Sequence, residues 1–279
     1  MDFSDFASRA LVRRGAHRHW EMISGHNTHF LEAGSGTVTL LWFPAVGDAA
    51  ASFGSVLLTL AQRLSGIARV VAVDPPGYGS SALQPGSLPP TFDELMGWAE
   101  SLLATADGPW VLAGNSSGSV FATAAAVGGR AVAAGLVLVG WANWRIGDPP
   151  EFDVLCPTER AGLEQLLERT WHKPPLMRED AAMILLKRFG EAGYKRHVSS
   201  FDRHDFTERL ERFRGPVAFV GGTHDGLVPP ALIEASASSR EGARSCLLEA
   251  CGHYPHRERP AQFVSVLEEL VRWCLSVQA

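Results

Sequence analysis

Trp110-Val111-Leu112-Ala113-Gly114-Asn115-Ser116-Ser117-Gly118-Ser119-Val120-Phe121 is the stretch that decides the fold. Residues 110–113 are continuously apolar, as expected of a strand covered on both faces, and residues 120–127 take up a helical period. Between them stands G-x-S-x-G, with Gly114 and Gly118 two residues either side of Ser116. Such a pattern recurs by chance, so its weight comes from its place between strand and helix. A serine on so tight a turn is pushed into a strained backbone conformation that exposes its hydroxyl, and its neighbours two residues away must lack side chains for the turn to close. The amide of Ser117 then sits at a helix N-terminus, where an unpaired N–H and the helix dipole favour a developing oxyanion. The bland alternative is a serine that only caps the helix.

Outward from this turn the same alternation repeats. Residues 38–43, 70–73, 135–139, 217–220 and 246–248 are further buried-strand candidates. Residues 55–64, 92–104 and 261–277 carry helical periodicity, the last with Phe263, Val266, Leu267, Leu270 and Val271 on one face. Alternating strand and helix predicts a doubly wound α/β domain with a parallel sheet. Near the N-terminus, residues 17–23 and 29–33 alternate around Ser24-Gly25 and predict an antiparallel hairpin at a sheet edge. The alternation breaks after Val139. From about Arg145 to Glu211 no convincing strand occurs, while residues 159–170 and 179–191 read as amphipathic helices punctuated by Pro149-Pro150 and Pro174-Pro175. Residues 1–144 and 212–279 are therefore expected to form the core, with residues 145–211 inserted as a helical cap.

A serine hydroxyl is a poor nucleophile near neutral pH and needs an imidazole base, which in turn needs a carboxylate to fix its tautomer. Of ten histidines, His253 follows Gly252 just past the last strand candidate and precedes the final helix. Asp225 lies just past residues 217–220, and open α/β sheets bind ligands outside their strand carboxyl ends. Ser116, Asp225 and His253 thus emerge from three strand ends in one chain order. Their rivals are His256 for the base and Asp148 or Asp153 for the acid; His224 reads as a solvated loop residue. Trp141, Trp144, Trp171, Phe189 and Phe201 flank or lie within the insertion, where an aromatic packs a cap core as readily as it lines a pocket.

With 279 residues, 46% hydrophobic and 20% charged, the chain can bury one large core. A net charge of −5 without a basic run excludes the footprint of a nucleic-acid binder, leaving a small-molecule substrate as the expected partner. Residues 1–15 fail as a secretory signal and no window is apolar enough to span a membrane, so no membrane partner and a cytoplasmic location are expected. Cys156, Cys246, Cys251 and Cys274 show no C-x-x-C spacing and read as structural thiols. Gly34-Ser35-Gly36 lacks the third glycine and following helix of a dinucleotide site, and no H-E-x-x-H or Cys/His cluster occurs, so no cofactor or metal is expected.

Taken with Gly114–Gly118, three further stretches resemble the α/β-hydrolase superfamily over nearly the whole chain. Asp74-Pro75-Pro76-Gly77-Tyr78-Gly79-Ser80-Ser81 resembles its D-x-P-G-x-G-x-S loop. Gly222-Thr223-His224-Asp225-Gly226-Leu227-Val228-Pro229 resembles its acid loop, and Gly252-His253-Tyr254-Pro255-His256-Arg257-Glu258-Arg259-Pro260 its G-H-x-x-x-x-E-x-P histidine segment. The resemblance implies a serine hydrolase with an eight-stranded, mostly parallel sheet, a helical cap after the sixth strand, and an Asp74 that organises its own loop. Relatives carry His-Gly after the third strand, and the next residue lends its amide to the oxyanion hole. This chain reads Phe43-Pro44-Ala45-Val46-Gly47, which by that likeness makes Ala45 the donor alongside Ser117, with Val46 as second candidate. The expected reaction is hydrolysis of an ester, thioester or lactone. Asn115 also gives G-N-S-x-G, which resembles the elbow of carbon–carbon hydrolases of ring-cleavage dienes, although those keep His-Gly and usually have glycine in place of Ser119. The altered Phe43-Pro44 segment motivates a third expectation, a ligand-binding or lyase and cyclase role on the same fold.

Overall fold

The computed structural model describes residues 3–104, 108–128, 133–141, 152–199 and 206–277. In chain order the elements are α1 (Phe3–Val12), β1 (His17–Ile23), β2 (His26–Ala33), β3 (Val38–Phe43), α2 (Gly54–Arg63), β4 (Ala68–Val73), α3 (Phe92–Leu102), β5 (Trp110–Asn115), α4 (Ser117–Gly128) and β6 (Ala133–Val139). There follow α5 (Phe152–Leu155), α6 (Arg160–Thr170), α7 (Glu179–Gly190), α8 (Ala192–Ser199), α9 (Phe206–Arg212), β7 (Val217–Gly222), α10 (Pro230–Ser238), β8 (Arg244–Leu248), α11 (Pro255–Glu258) and α12 (Pro260–Val277).

The strands form one eight-stranded sheet in the order β1-β2-β4-β3-β5-β6-β7-β8. β1 pairs antiparallel with β2, and β2 with β4; all other pairings are parallel. The edge hairpin turns on Ser24 and Gly25, with φ of 47° and 80°, the positive values that a two-residue hairpin turn requires at both positions. Every residue of β3, β5, β6 and β7 is buried, which is why these strands read as unbroken apolar runs.

Successive residues along each strand nonetheless serve different layers. Leu40, Trp42, Val70, Ala72, Val137 and Val139 pack on one face with Leu57 and Leu60 of α2 and Phe263, Leu267 and Val271 of α12. Leu41, Phe43, Val71, Val73, Leu136 and Leu138 pack on the other with Trp98 of α3, Phe121 of α4 and Ile233 of α10. Each such large side chain contributes about 1.5–3 kcal/mol by leaving water. α4 is apolar nearly all round, and its Ala122, Ala124 and Ala125 are wholly buried, which lets it lie close to the sheet. α3 is started by a capping box in which the Thr91 hydroxyl accepts from the Glu94 amide and the Glu94 carboxylate accepts from the Thr91 amide.

Among the described residues, five helices, α5 to α9, lie between β6 and β7 and no strand occurs there, where the sequence predicts an insertion without strands. α9 rests on α4, and Phe206 at its start packs on Phe92. α1 and α10 were not anticipated: Leu11 of α1 is buried in the layer of α2, and α10 opens with Pro230 at its first turn. Among the described residues no helix is long and apolar enough to cross a membrane.

Candidate active site

Ser116 follows directly on β5 and holds φ at 55°, one of three positive values among the described non-glycine residues. Its amide donates to Val139 O at 2.8 Å at the end of β6, and its carbonyl accepts from the Ser119 amide at 2.9 Å, so both sides of the strained residue are fixed. The two flanking glycines are demanded by contact. A Cβ on Gly114 would run into the Gly118 carbonyl, and a Cβ on Gly118 would run into the carbonyls of Phe43 and Pro44. The latter contact lays residues 43–45 against the N-terminus of α4. Ala45 and Ser117, the expected oxyanion donors, are both buried. Ser117 is the first residue of α4, where helical amides have no partner within the helix. Ala45 opens a turn closed by Asp48 N donating to Ala45 O at 3.0 Å, with Gly47 at φ 75°. Val46, the second candidate, lines a neighbouring cavity.

The acid and base candidates meet at the same edge of the sheet. His253 Nδ1 lies 2.7 Å from Asp225 Oδ2, and both side chains are nearly inaccessible, at 2% and 1%. The other carboxylate oxygen, Oδ1, accepts from the amides of Leu227 and Val228, each at 2.9 Å, so Asp225 is aimed by its own loop. Asn115, immediately before Ser116, donates from Nδ2 to the His253 carbonyl at 3.0 Å. Gly140, just past β6, is where the imidazole passes; a Cβ there would meet His253 Cε1 at 2.9 Å. No hydrogen bond joins Ser116 and His253 among the described residues; in unliganded sites such bonds commonly tighten only around substrate.

α6 grips both loops from above. Its Thr170 carbonyl accepts from the His253 amide at 2.6 Å, and its Arg169 carbonyl from the Gly226 amide at 2.8 Å. Gly226 and Gly252 are needed for that approach, since a Cβ on either would strike the α6 backbone. Glu258 Oε1 accepts from the Gly252 amide and Oε2 from the His172 amide, both at 2.9 Å, tying the histidine loop to the insertion. Thr170 and Glu258 therefore shape the candidate site although the sequence does not single them out, and Asn115, which stands out there only as the second residue of the elbow, ties it to the histidine loop. Glu258 leaves a trace there as the acidic position of the histidine segment, whereas Thr170 leaves none.

The rival residues lie elsewhere. His256 is buried against Trp42 and Phe263, with Nε2 3.9 Å from Asp48 Oδ2, and burial pushes its imidazole below the usual range. Asp153 is exposed on α5, and Asp148, Trp144 and Phe201 lie outside the described residues. His224 packs on His172 with the rings tilted and their centroids 4.0 Å apart, and meets Thr223 Oγ1 at 3.0 Å. Trp141 is buried, Trp171 packs on Tyr254 and Phe189 on Tyr194. Asp74 forms a second buried imidazole–carboxylate pair, Oδ2 to His29 Nδ1 at 2.8 Å, and also accepts from the amides of Ala50 and Ser80; it staples its loop to β2. The four cysteines are free, and burial pushes the Cys251 and Cys274 thiols up to about 12. Among the described residues no three metal-ligating side chains cluster.

A mostly parallel sheet with a strained serine and a buried imidazole–carboxylate pair at its strand ends defines a doubly wound α/β protein with a candidate site at its carboxyl edge. The chain belongs to the alpha/beta hydrolase family, whose family model matches residues 6–266. No curated protein matches it in sequence. Among solved structures it is similar to a lipase candidate (lip1) from Acinetobacter baumannii AYE, at TM-score 0.81 and 17% identity, covering 99% of this chain and 97% of that one. It is also similar to a thermophilic esterase from Thermogutta terrifontis, at TM-score 0.72 and 21% identity, covering 93% and 99%. A serine hydrolase involved in carbazole degradation gives TM-score 0.72 and 20% identity, covering 93% and 100%. Identities this low establish the shared fold alone.

Proposed function

We propose that the protein is a serine hydrolase that cleaves an ester, thioester or lactone of a small organic molecule through an acyl-enzyme on Ser116. The observation that carries this reading is the buried 2.7 Å bond between His253 and Asp225, in a loop bonded through Asn115 to the residue before a serine whose backbone is held at positive φ. His253 takes the Ser116 proton as Oγ attacks the carbonyl carbon, while Asp225 holds the imidazole and stabilises its charged form. The Ala45 and Ser117 amides receive the oxyanion. The imidazolium then gives its proton to the departing alcohol, thiol or tethered hydroxyl. Water, deprotonated by His253, repeats the sequence and frees the acid. No step calls for a cofactor. Residues 145–211 act as the cap that shapes the acyl site, and esterases and lipases of the same fold make this chemistry the leading choice.

Rapid mixing with p-nitrophenyl esters from acetate to octanoate tests it. The expected result is a burst of p-nitrophenol stoichiometric with protein, followed by turnover, with Ser116→Ala slowed by about 10⁴-fold or more. A second reading, carbon–carbon hydrolysis of a ring-cleavage diene, is favoured by Asn115 in the elbow. Its amide, however, is engaged with the His253 carbonyl and, at 3.4 Å, with Val139 O. Turnover of such a diene without any ester burst would replace the first reading by the second.

A further inference from the structure

The turn that carries Ala45 is held from outside by two arginines that come from different parts of the chain. Arg188, in the last turn of α7, donates from Nε to the Gly47 carbonyl at 3.1 Å, across 141 residues of sequence. Arg257, four residues beyond His253, donates from Nη2 to Asp48 Oδ1 at 2.6 Å, and the same oxygen accepts from the Ala49 amide. Burial alone would raise the Asp48 carboxyl, but the Arg257 charge together with His256 and Ser52 outweighs it and holds the group ionised at lower pH than usual. The Tyr194 ring of α8 closes over Gly47 so tightly that a Cβ there would meet it at 2.8 Å. Both arginines, Val46 and Tyr254 line one cavity of about 340 Å³ beside this turn.

We infer that Arg188 is a positioning residue for the oxyanion hole, so that the hole is complete only when the helical insertion is docked. This rests on the ester-hydrolase reading of Ser116 and Ala45 given above. Pro44 supplies no N–H, and Gly118 fixes residues 43 and 44 from below, so the direction of the Ala45 amide depends on how the 45–48 turn is pinned above. Arg257 pins the exit of the turn to the histidine loop, and Arg188 pins its Gly47 peptide to the insertion. A guanidinium bonded to that carbonyl stops the peptide from rotating, and preorganised amides are what give such a hole its effect. When the insertion lifts, the Gly47 carbonyl loses its donor and the turn is free to swing the Ala45 amide away.

Arg188→Met and Arg188→Lys, read against wild type with p-nitrophenyl acetate, test the assignment. Arg188→Met is expected to lower kcat by about 10- to 100-fold, short of deleting a hole donor outright, with KM changed less than about threefold. Affinity for a trifluoromethyl ketone, which forms the oxyanion, should fall by the same factor. Tm should hold, and Arg188→Lys, which can still reach the Gly47 carbonyl, should restore most of the loss. A variant whose KM rises at unchanged kcat would make Arg188 a substrate-binding group and overturn the assignment, as would full activity with unweakened ketone binding. Absence of an acyl-enzyme burst in wild type would instead remove the ester-hydrolase reading, and the assignment with it.

Discussion

Asn115 carries out a task at the level of one side chain that no backbone element performs: it links the residue before Ser116, the proposed nucleophile, to the main chain of His253, the proposed base. Replacing it with alanine leaves the buried His253 carbonyl without that donor, which costs about 1–3 kcal/mol, and releases the histidine loop beside Ser116. Asn115→Ala should therefore unfold at lower urea concentration with an unchanged m-value and hydrolyse esters more slowly; wild-type stability and rate together would deny the link any role. The candidates Ser116, Asp225 and His253 stand out in the sequence because each sits in a short local motif, and the structure brings Asp225 and His253 into direct contact. Thr170 and Arg188 are not legible as site residues, because each acts through a main-chain carbonyl or amide distant in sequence, and such a bond leaves no local pattern; Asn115 shows in the elbow motif, but its bond to the His253 carbonyl does not.

Among elements, the strands were the easiest to foresee, since burial on both faces imposes continuous apolar runs, and β3 was bounded to the residue. The helices α2, α3, α4 and α12 followed from their period. α8 was missed: its sequence, AGYKRHVS, offers only Tyr194 and Val198 as large apolar residues, and its third buried side chain is a histidine. His197 lies within 3.1 Å of the Tyr78 hydroxyl and edge-on to Phe92 and Phe121, so α8 docks on the core through an imidazole that burial pushes down to about 3. The unfolded chain protonates this group near its ordinary 6.5, whereas the folded chain does not until far lower pH. Between those values the unfolded state binds more protons. The stability from keeping His197 neutral is thus present above about pH 6.5 and is lost as pH falls towards 3, by about 1.4 kcal/mol per pH unit. Urea denaturation from pH 7 to 4.5 should show a wild-type slope steeper by about that amount than His197→Phe; parallel curves would contradict it. α1 is hidden for another reason: it is only ten residues long, and Phe3, Ala7, Ala10 and Leu11 at helical spacing offer few large apolar side chains to mark the period.

On the scale of the whole molecule, the doubly wound class and the helical insertion followed from alternation and its interruption. The strand order did not, because the crossing that sets β4 between β2 and β3 is a long-range pairing with no local signature; only the resemblance to a family supplied the eight-stranded sheet. That order places β5 between β3 and β6, so the Ser116 turn is flanked by residues 43–45 on one side and Gly140 on the other, with Asp225 and His253 arriving from β7 and β8. Three separate stretches converge on one sheet edge, and the account stands or falls on their acting together. A fluorophosphonate probe followed by intact-mass and peptide mapping measures this most directly. One adduct per chain on Ser116 is predicted, formed at least about a hundredfold more slowly in His253→Gln. An unlabelled folded chain, an adduct on another residue, or equal labelling rates in the two proteins would contradict it.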